Sequence, residues 1–191
     1  MIYRIHEDNA NFQNFFLDLE EVLDVMDETI GEREFLGFSV DNISLKDLWP
    51  GFKAEFKKKE RKGKILPRPD MATWRGANLV LSQKAYDVLA KSLESYGEFL
   101  PLTCDDEPCY IFNCLTLGEI DEVNSKKEML DGYPVGVERL VFDEERLGDK
   151  LVFKTPYERC ISVLCQNEFK DMVERAELTG LRFDAHLEEI I

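Results

Sequence analysis

The chain has 191 residues, of which 44% are hydrophobic and 11% aromatic, and its formal net charge at pH 7 is −15. Apolar content of this size can bury a core and excludes global disorder, while the acidic balance disfavours nucleic acid, whose binding depends on phosphate contacts. The sequence has no apolar run of about 18 residues and no secretory signal, so it predicts a cytoplasmic protein without a membrane span.

The N-terminal region predicts a strand at Met1–Ile5 and then an amphipathic helix that starts at Asn11 and ends before Gly31. Apolar residues recur on one face of this helix: Phe12, Phe15, Phe16, Leu19, Val22, Leu23 and Met26. Its other face carries six acids: Asp18, Glu20, Glu21, Asp24, Asp27 and Glu28. Acids near a helix C-terminus interact unfavourably with the helix dipole. A helix that keeps them can use their charge to bind a partner. The alternative is an ordinary solvated face.

A basic segment follows the acidic region. The pattern predicts strands at Phe35–Val40 and Phe52–Phe56, and residues 53–64 carry seven basic and two acidic side chains. This run could bind nucleic acid, with Phe52 and Phe56 stacking on bases. It could equally form a basic edge strand, or pair with the acidic helix. The role of the stretch Lys57–Lys64 stays open at this point.

Residues 66–75 contain two prolines and no periodicity, which predicts a loop or surface arm. We therefore place a hinge at residues 53–75, between an N-terminal subdomain (1–65) and a second domain (66–191). Trp74, followed by Arg75, is either a lid over the core or an exposed anchor for a partner, because interface anchors are enriched in both residue types.

The second domain contains one pattern twice. Residues Leu79–Leu102 and Ser162–Ala185 align without a gap, and each predicts a strand, a helix, a glycine stop and a second strand. In the first copy Ser82 occupies the N-cap position and Gly97 the left-handed stop, and Gly180 takes the equivalent place in the second copy.

Further strands are predicted between the two copies, at Glu98–Thr103 and Cys109–Leu115, joined by the acidic turn Asp105, Asp106 and Glu107. Residues 118–132 are polar and predict a loop or short helix. Strands at Val137–Phe142 and Leu151–Lys154 follow. The expected class is α+β, a mixed or antiparallel sheet with helices packed on one face, and the repeat allows two pseudo-equivalent halves.

Catalytic and cofactor signals are sparse. The chain has two histidines, five cysteines and no glycine-rich nucleotide-binding loop. Cys109 and Cys114 lie in one predicted strand and would point to opposite faces, so the five-residue cysteine spacing indicates buried thiols and no metal site. Two alternatives stay open: a small enzyme using His186 or a cysteine, and a nucleic-acid-binding module using residues 53–64.

Several segments follow one another between residues 66 and 185: PDMATW, LVLSQKAYDVL, GEFLPL, CYIFNCL, FDEERLGDKLVFKTP, EFKDMVERAELTG and LTGLRF. In this order they resemble a family of bacterial immunity proteins that are encoded beside polymorphic or contact-dependent toxins and were long catalogued as a domain of unknown function. The resemblance implies no catalytic motif and no cofactor.

The resemblance also implies a protein that neutralises a cognate toxin in the cytoplasm. Acidic charge suits a basic toxin whose active site the chain would occlude, with carboxylates in place of phosphates. The candidate contacts are the six helix acids, the pair Trp74 and Arg75, and the turn acids Asp105, Asp106 and Glu107.

Overall fold

The architecture is α+β, in a computed structural model that describes residues 1–187. The described chain forms fourteen strands: β1 (Ile2–Glu7), β2 (Asn14–Leu17), β3 (Phe52–Lys57), β4 (Glu60–Arg61), β5 (Lys64–Ile65), β6 (Met71–Trp74), β7 (Asn78–Ser82), β8 (Gly97–Cys104), β9 (Glu107–Cys114), β10 (Lys126–Leu130), β11 (Tyr133–Arg139), β12 (Val152–Phe153), β13 (Leu164–Gln166) and β14 (Leu181–Asp184). The helices are α1 (Leu19–Asp27), α2 (Glu32–Gly37), α3 (Gln83–Leu93), α4 (Glu144–Leu147) and α5 (Asn167–Arg175), with a 3-10 turn at Pro156–Glu158. Within residues 1–187 no helix is long and apolar enough to cross a lipid bilayer.

Two main sheets organise the molecule. The larger has six strands in the order β2-β3-β8-β9-β7-β6, and its β3–β8 pair is parallel while the other pairs are antiparallel. The smaller has four antiparallel strands in the order β12-β13-β1-β14. The predicted α+β class with a mixed sheet is therefore confirmed.

The two copies of the repeated pattern have the same topology. The units are β7–α3–β8 and β13–α5–β14, and in each the two strands are parallel with one antiparallel strand between them. The inserted strand is β9 in the first unit and β1 in the second. Helices α3 and α5 contribute to one shared apolar cluster.

Side-chain alternation along β9 separates two apolar clusters. Cys109 and Ile111 join a cluster that includes residues of α1 and α2, whereas Phe112 and Cys114 join the cluster of α3 and α5. The prediction that Cys109 and Cys114 face opposite sides is confirmed, because successive strand residues alternate. Helices thus lie on both faces of the larger sheet, where the sequence indicated one face.

The long helix predicted from Asn11 is wrong in its first half. Residues Asn14–Leu17 form β2, paired with β3 so that Phe15 lies opposite Phe56. Asp18 then starts α1, because its carboxylate accepts hydrogen bonds from the amides of Glu20 and Glu21. Short apolar runs fit both periods, and here pairing with β3 decided the outcome.

Three other local predictions need correction. The first half of the strand predicted at Phe35–Val40 is the end of α2. Phe35 in this helix and Phe38 at its C-cap are both buried, and their rings stack at a centroid distance of 5.6 Å. Part of the loop predicted at 66–75 is strand β6. Both prolines lie before this strand, so they do not interrupt its hydrogen bonds. The predicted loop at 118–132 contains β10.

Glycine supports the two repeat units in different ways. Gly180 has φ +106 and lies so close to β6 that a Cβ would stand 2.0 Å from the Met71 carbonyl oxygen. Gly97 does not have the predicted left-handed conformation, since it begins β8. It is crowded instead, because a Cβ there would meet the Asn113 carbonyl oxygen at 2.2 Å. Ser82 caps α3 as predicted, accepting a hydrogen bond from the Ala85 amide.

The proposed boundary at residue 65 falls between strands of one sheet. Phe52 of β3 pairs with Leu102 of β8, so the larger sheet contains strands from both sides of the boundary. The division into subdomains stays a prediction.

Candidate partner-binding surface

The outer face of α1 carries exposed carboxylates. Val22 and Met26 are fully buried, so the helix turns Glu20, Glu21 and Asp24 towards solvent. Glu28 follows as the exposed C-cap residue. Within residues 1–187 no cationic group forms an ion pair with any of these four carboxylates. Their charge therefore remains available to a partner.

Two of the predicted helix acids also have structural roles. Asp18 is the N-cap of α1. Asp27 Oδ1 accepts a hydrogen bond of 2.7 Å from the Glu32 amide, close to the start of α2, where a carboxylate is favourable. The acids that oppose the dipole of α1 thus include one that stabilises the next helix.

The predicted acidic turn is the tight connection between β8 and β9. Asp105 and Asp106 both have positive φ, 51° and 66°, as a two-residue hairpin turn requires. Arg68 lies 3.5 Å from Asp105 and 3.1 Å from Glu107, so it offsets part of the turn's charge. Asp105 also accepts a hydrogen bond from the Phe56 amide. Asp106 is the turn acid without an ion pair in the described chain.

Strand β3 separates the two acidic groups. Ala54 pairs with Leu17 on one side and Cys104 on the other, which places the start of α1 and the β8–β9 turn about 10 Å apart across the sheet. Glu21, Lys53 and Thr103 line a shallow groove of about 570 Å³. The structure thus brings the start of α1 and the acidic turn to the same part of the sheet.

Trp74 ends strand β6, and Arg75 follows it in the turn to β7. Trp74 is only 7% exposed and packs against Trp49 at a centroid distance of 6.1 Å, which corresponds to the core-lid alternative. Arg75 is exposed, and its guanidinium donates a 2.7 Å hydrogen bond to the Leu36 carbonyl. This pair therefore offers a partner one arginine and little of the tryptophan surface.

The basic run has contacts within the chain. Lys59 Nζ donates to the Asn9 carbonyl at 2.7 Å, and Arg61 donates to the Ala10 carbonyl at 2.8 Å. Lys57 pairs with Glu55 and lies over the ring of Phe16. These side chains hold the loop between β1 and β2 against the β4–β5 hairpin, which gives part of the run a structural role.

The histidines and cysteines do not form a nucleophilic arrangement among the described residues. His186 is 92% exposed and its only ion-pair partner there is Asp184, at 3.2 Å. All five cysteines are buried. Burial raises the pKa of the Cys114 thiol to about 11, so it is protonated and weakly nucleophilic at neutral pH. No group of three or more metal-binding side chains occurs in residues 1–187.

Sequence reasoning missed an exposed apolar hairpin, β10–β11. It has four exposed apolar side chains near its turn: Met129, Leu130, Tyr133 and Val135. The Asp131–Gly132 pair was the available signal, because Asp-Gly between apolar residues favours a two-residue hairpin.

Comparison with known proteins identifies a family. The model of the immunity protein family Imm11 matches residues 6–187. The match includes the end of β1, α1 and the basic run, which lie outside the resemblance seen in the sequence. A search of curated proteins finds no match.

Proposed function

We propose that this chain, which belongs to the Imm11 family of immunity proteins, binds and neutralises a cognate bacterial toxin in the cytoplasm. The toxin would be a basic protein, and the chain would act by occluding its active site without catalysis of its own. The observation that carries the proposal is the set of exposed carboxylates on α1 that have no ion pair in the described chain.

The carboxylates suit a cleft that binds phosphate. A toxin that acts on nucleic acid needs basic side chains around its substrate, and an acidic protein surface can occupy the same positions. The net charge of −15 would attract such a protein from a distance, which raises the association rate. The acids of α1 and Asp106 are the proposed contacts.

Charge alone supplies a small part of the binding free energy. An exposed ion pair contributes about 0.2–1 kcal/mol, whereas a nanomolar complex needs about 12 kcal/mol. The five unpaired acids would therefore guide the encounter and fix the orientation of the complex, while apolar contacts elsewhere supply most of the affinity. These acids are Glu20, Glu21, Asp24, Glu28 and Asp106.

The test is binding of the purified chain to its cognate toxin, made in an inactive form; the resemblance implies that this toxin is the product of an adjacent gene. Association should be stoichiometric, and its rate should fall as salt is raised, because the Debye length shortens. Binding that does not depend on salt would reject the decoy mechanism while leaving the immunity function intact. No binding at any salt concentration would reject both.

A further inference from the structure

The β10–β11 hairpin is a small sheet of its own with a defined tip. Leu130 pairs with Tyr133 across the turn residues Asp131 and Gly132, whose φ angles are 51° and 84°. Both central residues of this turn type require positive φ, and glycine adopts it without strain. The two strands pair only with each other in residues 1–187. The turn thus fixes which side chains stand at the tip.

The tip exposes apolar side chains that a monomer would normally bury. Leu130 is 62% exposed, Tyr133 74%, Met129 55% and Val135 56%. Single exposed apolar residues are common, but a group of them marks an interaction site more often than an unused surface, and Leu130 and Tyr133 are direct cross-strand partners. Tyrosine and methionine are also enriched in protein interfaces.

The base of the hairpin is held against the body of the protein. Lys127 Nζ donates a hydrogen bond to the Tyr157 carbonyl and lies 4.0 Å from the centroid of the Tyr157 ring. Val137 is buried in a cluster with Phe142 and Phe153. A tip that is fixed before binding loses little conformational freedom on docking, which favours affinity.

The two charged side chains of the tip itself are negative, and Arg159 of the body lines a groove together with Glu128 and Val135. Glu128 and Asp131 are exposed there, while Lys126 pairs with Glu138, and Arg139 donates to the Asn124 carbonyl, both nearer the base. A groove of about 1030 Å³ beside the base has more acids than bases in its lining, which includes Glu119, Asp121, Glu122 and Asp143 together with Lys127 and Arg146. The tip therefore fits an apolar pocket with a basic rim.

A second copy of this chain fits the tip less well. In a symmetric dimer the same patch faces itself, which would bring Glu128 and Asp131 of both copies close together. Like charges at an interface oppose association, so the charge pattern favours a different, basic protein.

We propose that the tip of the β10–β11 hairpin inserts into an apolar, basic-rimmed pocket of the cognate toxin and supplies the main affinity of the complex. This inference rests on the proposed function. It identifies the apolar contact that supplies the affinity that the α1 acids do not provide. Leu130 and Tyr133 are the central contacts, and Asp131 and Glu128 face the rim.

The test uses the inactive product of the adjacent toxin gene and the double variant Leu130→Ala/Tyr133→Ala. The matched control is Ile65→Ala/Val88→Ala, which truncates two exposed apolar residues on other elements. Because a hot-spot residue typically changes affinity about 30-fold or more, we expect at least that increase in Kd for the tip variant and less than about threefold for the control.

Two further measurements complete the test. Toxin addition should slow amide hydrogen exchange in residues 126–139 of the wild-type protein. An unchanged Kd for the tip variant, or unchanged exchange in the hairpin, would overturn the inference. If the wild-type chain still bound the toxin, the proposed function would stand.

Sedimentation of the chain alone should show no association through the tip. A wild-type dimer that dissociates in the tip variant would identify a second copy as the occupant and overturn the inference.

Discussion

Asp70 and Thr179 exchange three hydrogen bonds. The Asp70 carboxylate accepts from the amide and the hydroxyl of Thr179, at 2.9 Å each, and the Asp70 amide donates to Thr179 Oγ1 at 3.2 Å. Asp70 lies in the segment PDMATW and Thr179 in LTGLRF, two segments that carry the family resemblance. These segments therefore meet in space and join the edge of the larger sheet to the second repeat unit.

This contact predicts a loss of stability on substitution. Thr179→Val removes the hydroxyl and its two hydrogen bonds with Asp70, while the Thr179 amide and Lys84 stay bound to the carboxylate, so the free energy of unfolding should fall by about 0.5–1.5 kcal/mol. Thr103→Val, at an exposed position of β8, should change it by less than about 0.5 kcal/mol. Urea unfolding of both variants measures the difference. Equal stabilities would mean that the contact contributes nothing.

Gly180 provides a second stability prediction. Gly180→Ala and Gly63→Ala both place a Cβ at a positive φ, but Gly63 has open space while Gly180 faces the Met71 carbonyl. We expect a cost of about 1 kcal/mol for Gly63→Ala and at least about 3 kcal/mol for Gly180→Ala. Thermal unfolding compares the two variants. A similar cost for both would show that strain in φ, and not crowding, sets the requirement for glycine.

Lys154 predicts a pH dependence. Its side chain is fully buried, Nζ donates to the Ser39 carbonyl at 3.0 Å, and burial lowers the pKa of the ammonium group. The unfolded chain holds this proton more tightly, so the contribution of Lys154 to stability is largest above about pH 10.4 and is lost as pH falls through the lowered pKa.

The variant Lys154→Met removes this titration. The stability of the wild type relative to the variant should therefore rise as pH increases from about 7 to about 10. Urea unfolding midpoints of the two proteins across that range provide the measurement. A difference that stays constant with pH would contradict a depressed pKa.

The exposed acids of α1 predict a kinetic effect. Glu20→Gln/Asp24→Asn removes two charges from the proposed contact, and Glu94→Gln/Glu168→Gln removes two from exposed positions on or beside α3 and α5. At low salt the first variant should associate with the toxin several-fold more slowly, with little change in the second, because local charges guide the encounter more than net charge does. Equal slowing in both would attribute the effect to net charge alone.

The sequence predicted those elements whose patterns are local and long. The unit β7–α3–β8 follows from its apolar periodicity and from Ser82, whose capping role the structure confirms. The strand at Asn14–Leu17 could not be predicted in this way, because only its pairing with β3 distinguishes it from a helical turn. Gly97 was identified as special for the wrong reason, because its close approach to Asn113 depends on the pairing of β8 with β9, which no pattern around Gly97 shows.

The candidate surface was predictable only in part. The acids of α1 are visible as a pattern, and the structure leaves all six exposed, although Asp18 and Asp27 also bind backbone amides. The neutralising contacts of Arg68 with Asp105 and Glu107 depend on tertiary structure and leave no local signal. The segments that identify the family are structural, as Asp70 and Thr179 illustrate, so they indicate membership without indicating which surface binds the toxin.

The central claim is that this chain neutralises a toxin by covering its active site. The most direct measurement titrates the purified chain into the active product of the adjacent toxin gene and follows the toxin's enzymatic activity. The account predicts that activity falls linearly to zero at one equivalent of the chain and that excess substrate slows the inhibition by competing for the site. Full toxin activity in the presence of a bound chain would contradict it.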